Sequence, residues 1–242
     1  MFCVKERIIV ELVRLNKYLK DQDICSRRKA DEFIAKGYVK VNGQVVEELG
    51  FKINPLIDQV ELLAELDLEK QQFSYIVLNK PKGYVCSKSR EDGKPIFELL
   101  PVIKDLTYAG RLDKDSHGLV ILSNDGKFVY KVFGAEFAKQ KEYIVRVNKP
   151  VTSEYLLKQS NGSIELDGKL LRPTQVKQIG AHVYKITLTE GVNRQLRRMA
   201  EVCDYRVVDL KRIRIDNITD RGLETGEWRR LTADEIKQIM AK

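Results

Sequence analysis

The run AGRLDKDSHGLVILSNDG, residues 109–126, is the densest concentration of reactive side chains in the sequence. Arg111, Asp113 and Asp115 crowd together between Gly110 and Gly118, and an apolar stretch follows. Three kinds of chemistry fit these residue types. The two carboxylates could hold magnesium, since hard oxygen ligands suit that ion. One carboxylate could act as nucleophile or base, held by an arginine. The run could also be a polar turn joining two strands, which the composition of DKDSHG favours. Local sequence alone leaves all three standing.

Two further runs could assist such a carboxylate. In EGVNRQLRRMAEV, residues 190–202, Gly191 and Asn193 open a helix that places Arg194, Arg197 and Arg198 on one side, at i, i+3 and i+4. No Glu or Asp in the run matches them, so their mutual repulsion calls for an anion; otherwise this is a solvated face, with Leu196 and Met199 turned to the core. In KEYIV, residues 141–145, Tyr143 follows Lys141 and Glu142 in a strand. An aromatic residue in a strand ordinarily packs half-buried.

The elements that must position these groups are legible as a strand-rich pattern. Strands are expected at YIVLNK, where Pro81 and Gly83 stop the run, and at GLVILSN, EYIVRVN, HVYKITLTE and RVVDLKRIRI. Helices are expected at KFVYKVF, TSEYLLKQS, NRQLRRMAEV and TADEIKQIMA, the last capped by Thr232 three residues before Glu235. Strands joined mostly by turns, without βαβ alternation, indicate an α+β fold with a mixed, largely antiparallel sheet. Three segments are expected: a module over 13–61, an acidic tether over 62–74, and a larger domain over 75–242.

The first segment reads as two short helices and a hairpin. Leu15, Tyr18 and Leu19 recur at helical spacing, as do Ala30, Phe33 and Ile34. Ser26 is placed to cap the second helix, Gly37 to end it, and Asn42-Gly43 to turn the hairpin. Residues 14–40 carry eight cations against four carboxylates. Arg27, Arg28 and Lys29 would occupy the first turn of the second helix, where the macrodipole disfavours cations. Placement against the dipole suggests phosphate contact, although a solvated basic face has the same composition.

Composition narrows the function classes. The 242 residues carry a formal charge of +8, which suits a polyanion partner. Cys3, Cys25, Cys86 and Cys203 form no CxxC pair, and His117 and His182 are the only histidines. A zinc ribbon, a disulfide framework and a histidine metal site are therefore not expected, and the cysteines read as buried free thiols. Neither a phosphate-binding P-loop nor a dinucleotide fingerprint occurs. Lys5, Glu6, Arg7 and Glu11 interrupt the N-terminal apolar run, and no apolar stretch reaches membrane-spanning length. A cytoplasmic monomer, without cofactor, metal or membrane, is expected.

LNKYLKDQDICSRRKADEFIAKGYVKVNGQVV resembles the S-four-type RNA-binding domain. The resemblance implies an RNA surface at Ser26, Arg27, Arg28, Lys29 and Lys40. GRLDKDSHGLVILSNDG resembles the active-site motif of the RsuA, RluB, RluE and RluF family of ribosomal RNA pseudouridine synthases, which carry the same module N-terminally. KPVTSEYL and GEWRRLTADEI point to its RluF branch, with His117 departing from the expected Gln or Thr. The resemblance implies a pseudouridine synthase fold and cofactor-free isomerisation of uridine to pseudouridine. Asp113 would be the nucleophile, Tyr143 the ring stacked on a flipped base, and Arg197 the ion-pair partner of Asp113. Arg111, Arg194 and Arg198 would contact RNA. The implied partner is ribosomal RNA, of the large subunit first, with transfer RNA second. A non-catalytic RNA-binding or ribosome-assembly factor and a nucleic-acid N-glycosidase are the competing classes.

Overall fold

The computed structural model describes residues 12–22, 24–63, 73–103 and 105–241. Contacts divide the chain into two units, Met1–Gln71 and Gln72–Lys242. Most of the expected tether, residues 64–72, lies outside the described residues.

In the first unit, β1 (Val13–Arg14) leads directly into α1 (Leu15–Asp21), and α2 (Arg27–Ala35) follows. The Ser26 hydroxyl accepts from the Lys29 backbone N–H at 3.2 Å, so the expected N-cap forms. At the other end Gly37, at φ 70°, lets its own N–H reach the Ile34 carbonyl and that of Tyr38 reach the Phe33 carbonyl. This is a Schellman ending. The chain then enters β2 (Val39–Val41) and β3 (Gln44–Val45), joined by Asn42 and Gly43 at φ 52° and 79° as a type I′ turn requires. β4 (Lys52–Ile53) pairs with β1, and β5 (Val60–Leu62) pairs with β2. The strand at β5 runs one residue into the segment expected as tether. Leu15, Leu19, Ala30, Phe33, Ile34, Val39 and Ile53 bury the helical and strand faces in one core.

The second unit opens with β6 (Tyr75–Lys80), two short strands β7 (Tyr84–Val85) and β8 (Lys94–Pro95), then β9 (Thr107–Ala109) and β10 (His117–Ser123). After α3 (Gly126–Phe133) come β11 (Lys141–Val147), α4 (Ser153–Ser160), and the hairpin of β12 (Glu165–Leu166) with β13 (Lys169–Leu170). β14 (Gln175–Gly180), β15 (Val183–Leu188), α5 (Gln195–Glu201), β16 (Val207–Ile215), β17 (Ile218–Thr219), β18 (Trp228–Arg230) and α6 (Ala233–Ala241) complete the chain. The nine-stranded sheet runs β14-β15-β11-β16-β10-β6-β18, with β9 on β10 and β17 on β16. Among its described pairings only β10–β16 is parallel, so the sheet is mixed and largely antiparallel.

Central strands are buried on both faces, which explains their near-continuous apolar runs. Ile76, Leu78, Val120 and Leu122 face one core with Tyr155, Leu196 and Met199. Val77, Leu119 and Ile121 face the other, beneath α3 and α6 with Phe128 and Ile239. The edge strand β14 is mostly exposed, and it has no apolar alternation to reveal it in the sequence. Thr232 and Glu235 form the expected capping box: Glu235 N–H donates to the Thr232 hydroxyl at 3.2 Å and Thr232 N–H to the Glu235 carboxylate at 2.9 Å. Cys86 is buried and Cys25 and Cys203 are half-buried, all as free thiols, so full burial holds for one of the three; Cys3 lies outside the described residues.

Candidate active site

The loop between the antiparallel neighbours β9 and β10, residues 110–116, carries Arg111, Asp113 and Asp115. Gly110 and Gly118 bracket it with φ 84° and 106°. A Cβ at Gly110 would strike the Phe133 ring of α3, and one at Gly118 would strike the Arg212 backbone of β16. Glycine is required at both for conformation and for space. Ser116 N–H donates to the Asp113 carbonyl at 3.1 Å, so Asp113 begins a tight turn. The expected polar turn thus forms, and Asp113, the candidate carboxylate, sits at its start.

The loop is tied down from several sides. Gly83 N–H donates to the Lys114 carbonyl at 2.8 Å, and Leu112 N–H to the Cys86 sulfur at 3.4 Å. From β6, the fully buried Lys80 donates to the Ser116 and Pro81 carbonyls at 2.7 and 3.0 Å. From β16, the buried Arg212 donates through Nε to the Leu119 carbonyl at 2.7 Å and through Nη1 to the Arg111 carbonyl at 3.3 Å. Backbone carbonyls fix these side chains, so the loop geometry is set before any substrate arrives.

The arginines of the 190–202 run find the anions their repulsion calls for, in carboxylates from outside the run. Arg194 Nη1 stands 3.5 Å from an Asp113 oxygen and Nη2 3.5 Å from Asp115. Arg197 Nη2 lies 3.1 Å from the Asp115 carboxylate, and it also donates to the Asp115 carbonyl at 3.3 Å and the Ser116 hydroxyl at 3.1 Å. Arg198 is held by both Asp167 oxygens, at 2.7 and 2.8 Å. The expected Arg197–Asp113 pairing is therefore made by Arg194 in this structure. The reason is local: α5 begins at Gln195, and Arg194 precedes it in the left-handed region at φ 50°, off the helical register that would group the three arginines. Asp115 is instead the carboxylate that pairs with Arg197.

A cavity of about 450 Å³ opens beside this loop. Asp113, Arg111 and Arg194 line it, with Tyr143 and Lys141 from β11, Leu188 from β15, and Leu210 and Arg212 from β16. Tyr143 is buried, and the alternation of β11 puts it on the same face as Lys141. Lys141 donates to the Lys139 carbonyl at 3.1 Å; burial, aided by the nearby Arg212, lowers its pKa to about 8. Burial likewise lowers Lys80 to about 8. Lys80, Lys141 and Arg212 were not singled out from sequence. A period-2 reading places Lys141 with Tyr143 and Arg212 with Leu210 on core faces, a signal that could have found two of them. Among the described residues no group of three or more His, Cys, Asp or Glu could hold a metal ion.

His117, the departure noted in the motif, meets both Asp209 oxygens through Nε2 at 3.1 and 3.2 Å. Lys82 pairs with the same carboxylate. Burial pushes the Asp209 carboxyl up, but Lys82 and His117 outweigh it and hold the group below the usual range.

In the first unit, α2 has no acidic residue in its first turn. Arg28 is exposed, and Arg27 reaches the Asn16 side chain at 3.3 Å. Lys29 is paired with Glu32 at 2.9 Å, and Lys40 is half-buried on β2. Ser26 is engaged in capping.

Residues 74–202 match the family described as RNA pseudouridylate synthase, and residues 13–55 match the S4 domain. The chain belongs to the RNA pseudouridine synthases. The 110–116 loop, the arginine run and the Tyr143 strand all fall inside the matched segment. This synthase is 40% identical over 226 residues to the Dual-specificity RNA pseudouridine synthase RluF of Escherichia coli strain K12, covering 93% of the chain and 77% of the relative. It is 36% identical over 236 residues to the Ribosomal large subunit pseudouridine synthase B of Bacillus subtilis, covering 94% and 96%. A crystal structure of a pseudouridylate synthase superposes with a TM-score of 0.70 at 30% identity, covering 94% of this chain and 99% of that one. The family assignment makes the synthase an isomerase acting on RNA uridine. No helix among the described residues is long and apolar enough to cross a membrane.

Proposed function

We propose that this synthase converts uridine to pseudouridine at defined sites in ribosomal RNA in the cytoplasm, with the large subunit as first target and transfer RNA as second. The names of the relatives in Escherichia coli and Bacillus subtilis support the choice of RNA. The observation that carries the mechanism is the placement of Asp113 on the wall of the cavity that Tyr143 also lines. Asp113 is the nucleophilic carboxylate, and it acts either at C1′ or on the C2′ proton as the N1–C1′ bond breaks. Arg194, 3.5 Å from the carboxylate, is the opposite charge that orients it. Arg197 holds the turn that presents it. Tyr143 offers a face to a uracil removed from its stack, and it or a nearby water takes the C5 proton after the base rejoins. Leu188 and Leu210 keep the detached base from water. The surface at Ser26, Arg27, Arg28, Lys29 and Lys40 delivers RNA through phosphate contacts, with Arg111 at the cavity.

Purified protein incubated with ribosomal and transfer RNA tests this reading. Pseudouridine should accumulate without free uracil, and Asp113→Asn should lower the rate by about 10³-fold or more with RNA affinity kept. Released uracil would indicate glycosidase chemistry, and an Asp113→Asn variant at the wild-type rate would remove the nucleophile.

A further inference from the structure

Two buried cations on the cavity wall have no carboxylate partner among the described residues. Lys141 and Arg212 both line the cavity, and neither makes an ion pair there. The arginines beside the loop are differently placed: Arg194 and Arg197 meet Asp113 and Asp115. Lys141 has three N–H donors and satisfies one, on the Lys139 carbonyl. Arg212 Nη2 is buried without a hydrogen-bond partner. A buried charge is strongly unfavourable unless it is compensated. Here the two like charges also sit close enough for Arg212 to depress Lys141. Such an arrangement favours an anion, or at least carbonyl oxygens, in the adjoining space.

We propose that Lys141 and Arg212 stabilise the uracil anion that exists between cleavage and re-formation of the glycosidic bond. The inference rests on the pseudouridine synthase reading and extends it to the leaving group. When N1–C1′ breaks, its electron pair stays on the base and spreads over N1, O2 and O4. C1′ either gains a bond to Asp113 or forms a double bond to C2′ as Asp113 takes the C2′ proton. The C5–C1′ bond then forms from the electron pair of the base, Asp113 is released or returns its proton, and the C5 hydrogen leaves as a proton while N1 gains one. Atoms and charge balance without any co-reactant. Fixed cations beside the base lower the energy of the separated state without reorganising, and they count most in a site closed to water.

Lys141 is the better probe because Arg212 also holds the Leu119 and Arg111 carbonyls. Single-turnover rates at saturating RNA should be measured for wild type, Lys141→Met and Lys141→Arg, on RNA carrying uridine or 5-fluorouridine at the target. Fluorine stabilises the base anion by induction, so the leaving group then needs less help. Lys141→Met should slow loss of uridine by about 10²-fold, slow loss of 5-fluorouridine distinctly less, and leave RNA affinity and Tm near wild type. Lys141→Arg should recover most of the rate. The wild-type kcat/KM should fall as pH rises through about 8, where Lys141 loses its proton, and Lys141→Arg should move that limb to higher pH. The other charged or titratable groups facing the same space are Cys86, Asp92, Tyr108, Arg111, Asp113, Lys114, Tyr143, Glu190, Arg194 and Arg197. An equal loss on both substrates, or lost affinity with an unchanged saturated rate, overturns the proposal. If wild type itself forms no pseudouridine, it is the underlying reading that has failed.

Discussion

The two units use positive charge in opposite ways. On α2, Arg27 and Arg28 are exposed in a first turn without acidic residues, and they stand against the helix dipole. Around the cavity, Lys80, Lys141, Arg197 and Arg212 are buried, and backbone carbonyls hold each of them. Exposed cations attract a polyanion by releasing its counterions, so their effect depends on salt. Buried cations shape a loop and a local potential that salt screens little. In the proposed function the first set would find the RNA, and the second would fix the chemistry.

The largest break in that division is expected at Gly118. Gly118→Ala would force a Cβ against the Arg212 backbone at a φ of 106°, disturbing the loop and the buried cation together. Thermal unfolding should show a loss of about 3 kcal/mol, with activity falling further than the remaining folded fraction. Next come the two arginines of the loop. Arg197→Met removes the guanidinium that donates to the Asp115 and Val207 carbonyls and the Ser116 hydroxyl, with Arg194 still beside the Asp115 carboxylate, so it should destabilise by about 2 kcal/mol. Arg194→Met should instead keep stability and lower kcat, since Arg194 is the partner of Asp113. Equal effects of the two in melting and in kinetics would erase the distinction between anchor and counter-ion.

Charge reversal at Arg27 and Arg28 tests the other side of the comparison. RNA affinity should fall, and the slope of log affinity against log salt should shrink by about one for each phosphate that is no longer neutralised. Saturated kcat should change little. An unchanged slope would mean that this face is only solvated.

The smallest expected effect lies at the Lys82–Asp209–His117 cluster. The Asp209 carboxyl is held below its ordinary value, so its contribution to stability is present above about pH 3.9 and fades as pH falls through the lower folded value. Asp209→Asn should therefore lower Tm at pH 7 but not at strongly acid pH. A Tm difference that grows on acidification would have the wrong sign.

Local signals in the sequence carried much of this structure. Ser26, Gly37, Asn42-Gly43 and Thr232 with Glu235 each act on neighbouring backbone groups, and such short-range chemistry is readable in one dimension. The central strands were legible because burial on both faces demands apolar runs. The partners of the arginines were not, because they depend on the left-handed turn at Arg194 and on a loop 79 residues away. Lys80 ends an apolar strand and reaches Ser116, 36 residues on, with nothing local to announce it. Edge strands such as β14 escaped because exposed strands need no pattern.

The central claim is that Asp113, held over the cavity by these buried anchors, isomerises uridine in ribosomal RNA. Pseudouridine mapping of ribosomal and transfer RNA should compare cells lacking the protein with the same cells given back wild type or Asp113→Asn. The account predicts that defined pseudouridines, in large-subunit ribosomal RNA first, disappear on deletion, return with wild type, and stay absent with Asp113→Asn. Unchanged maps in all three strains, or restoration by Asp113→Asn, would contradict it.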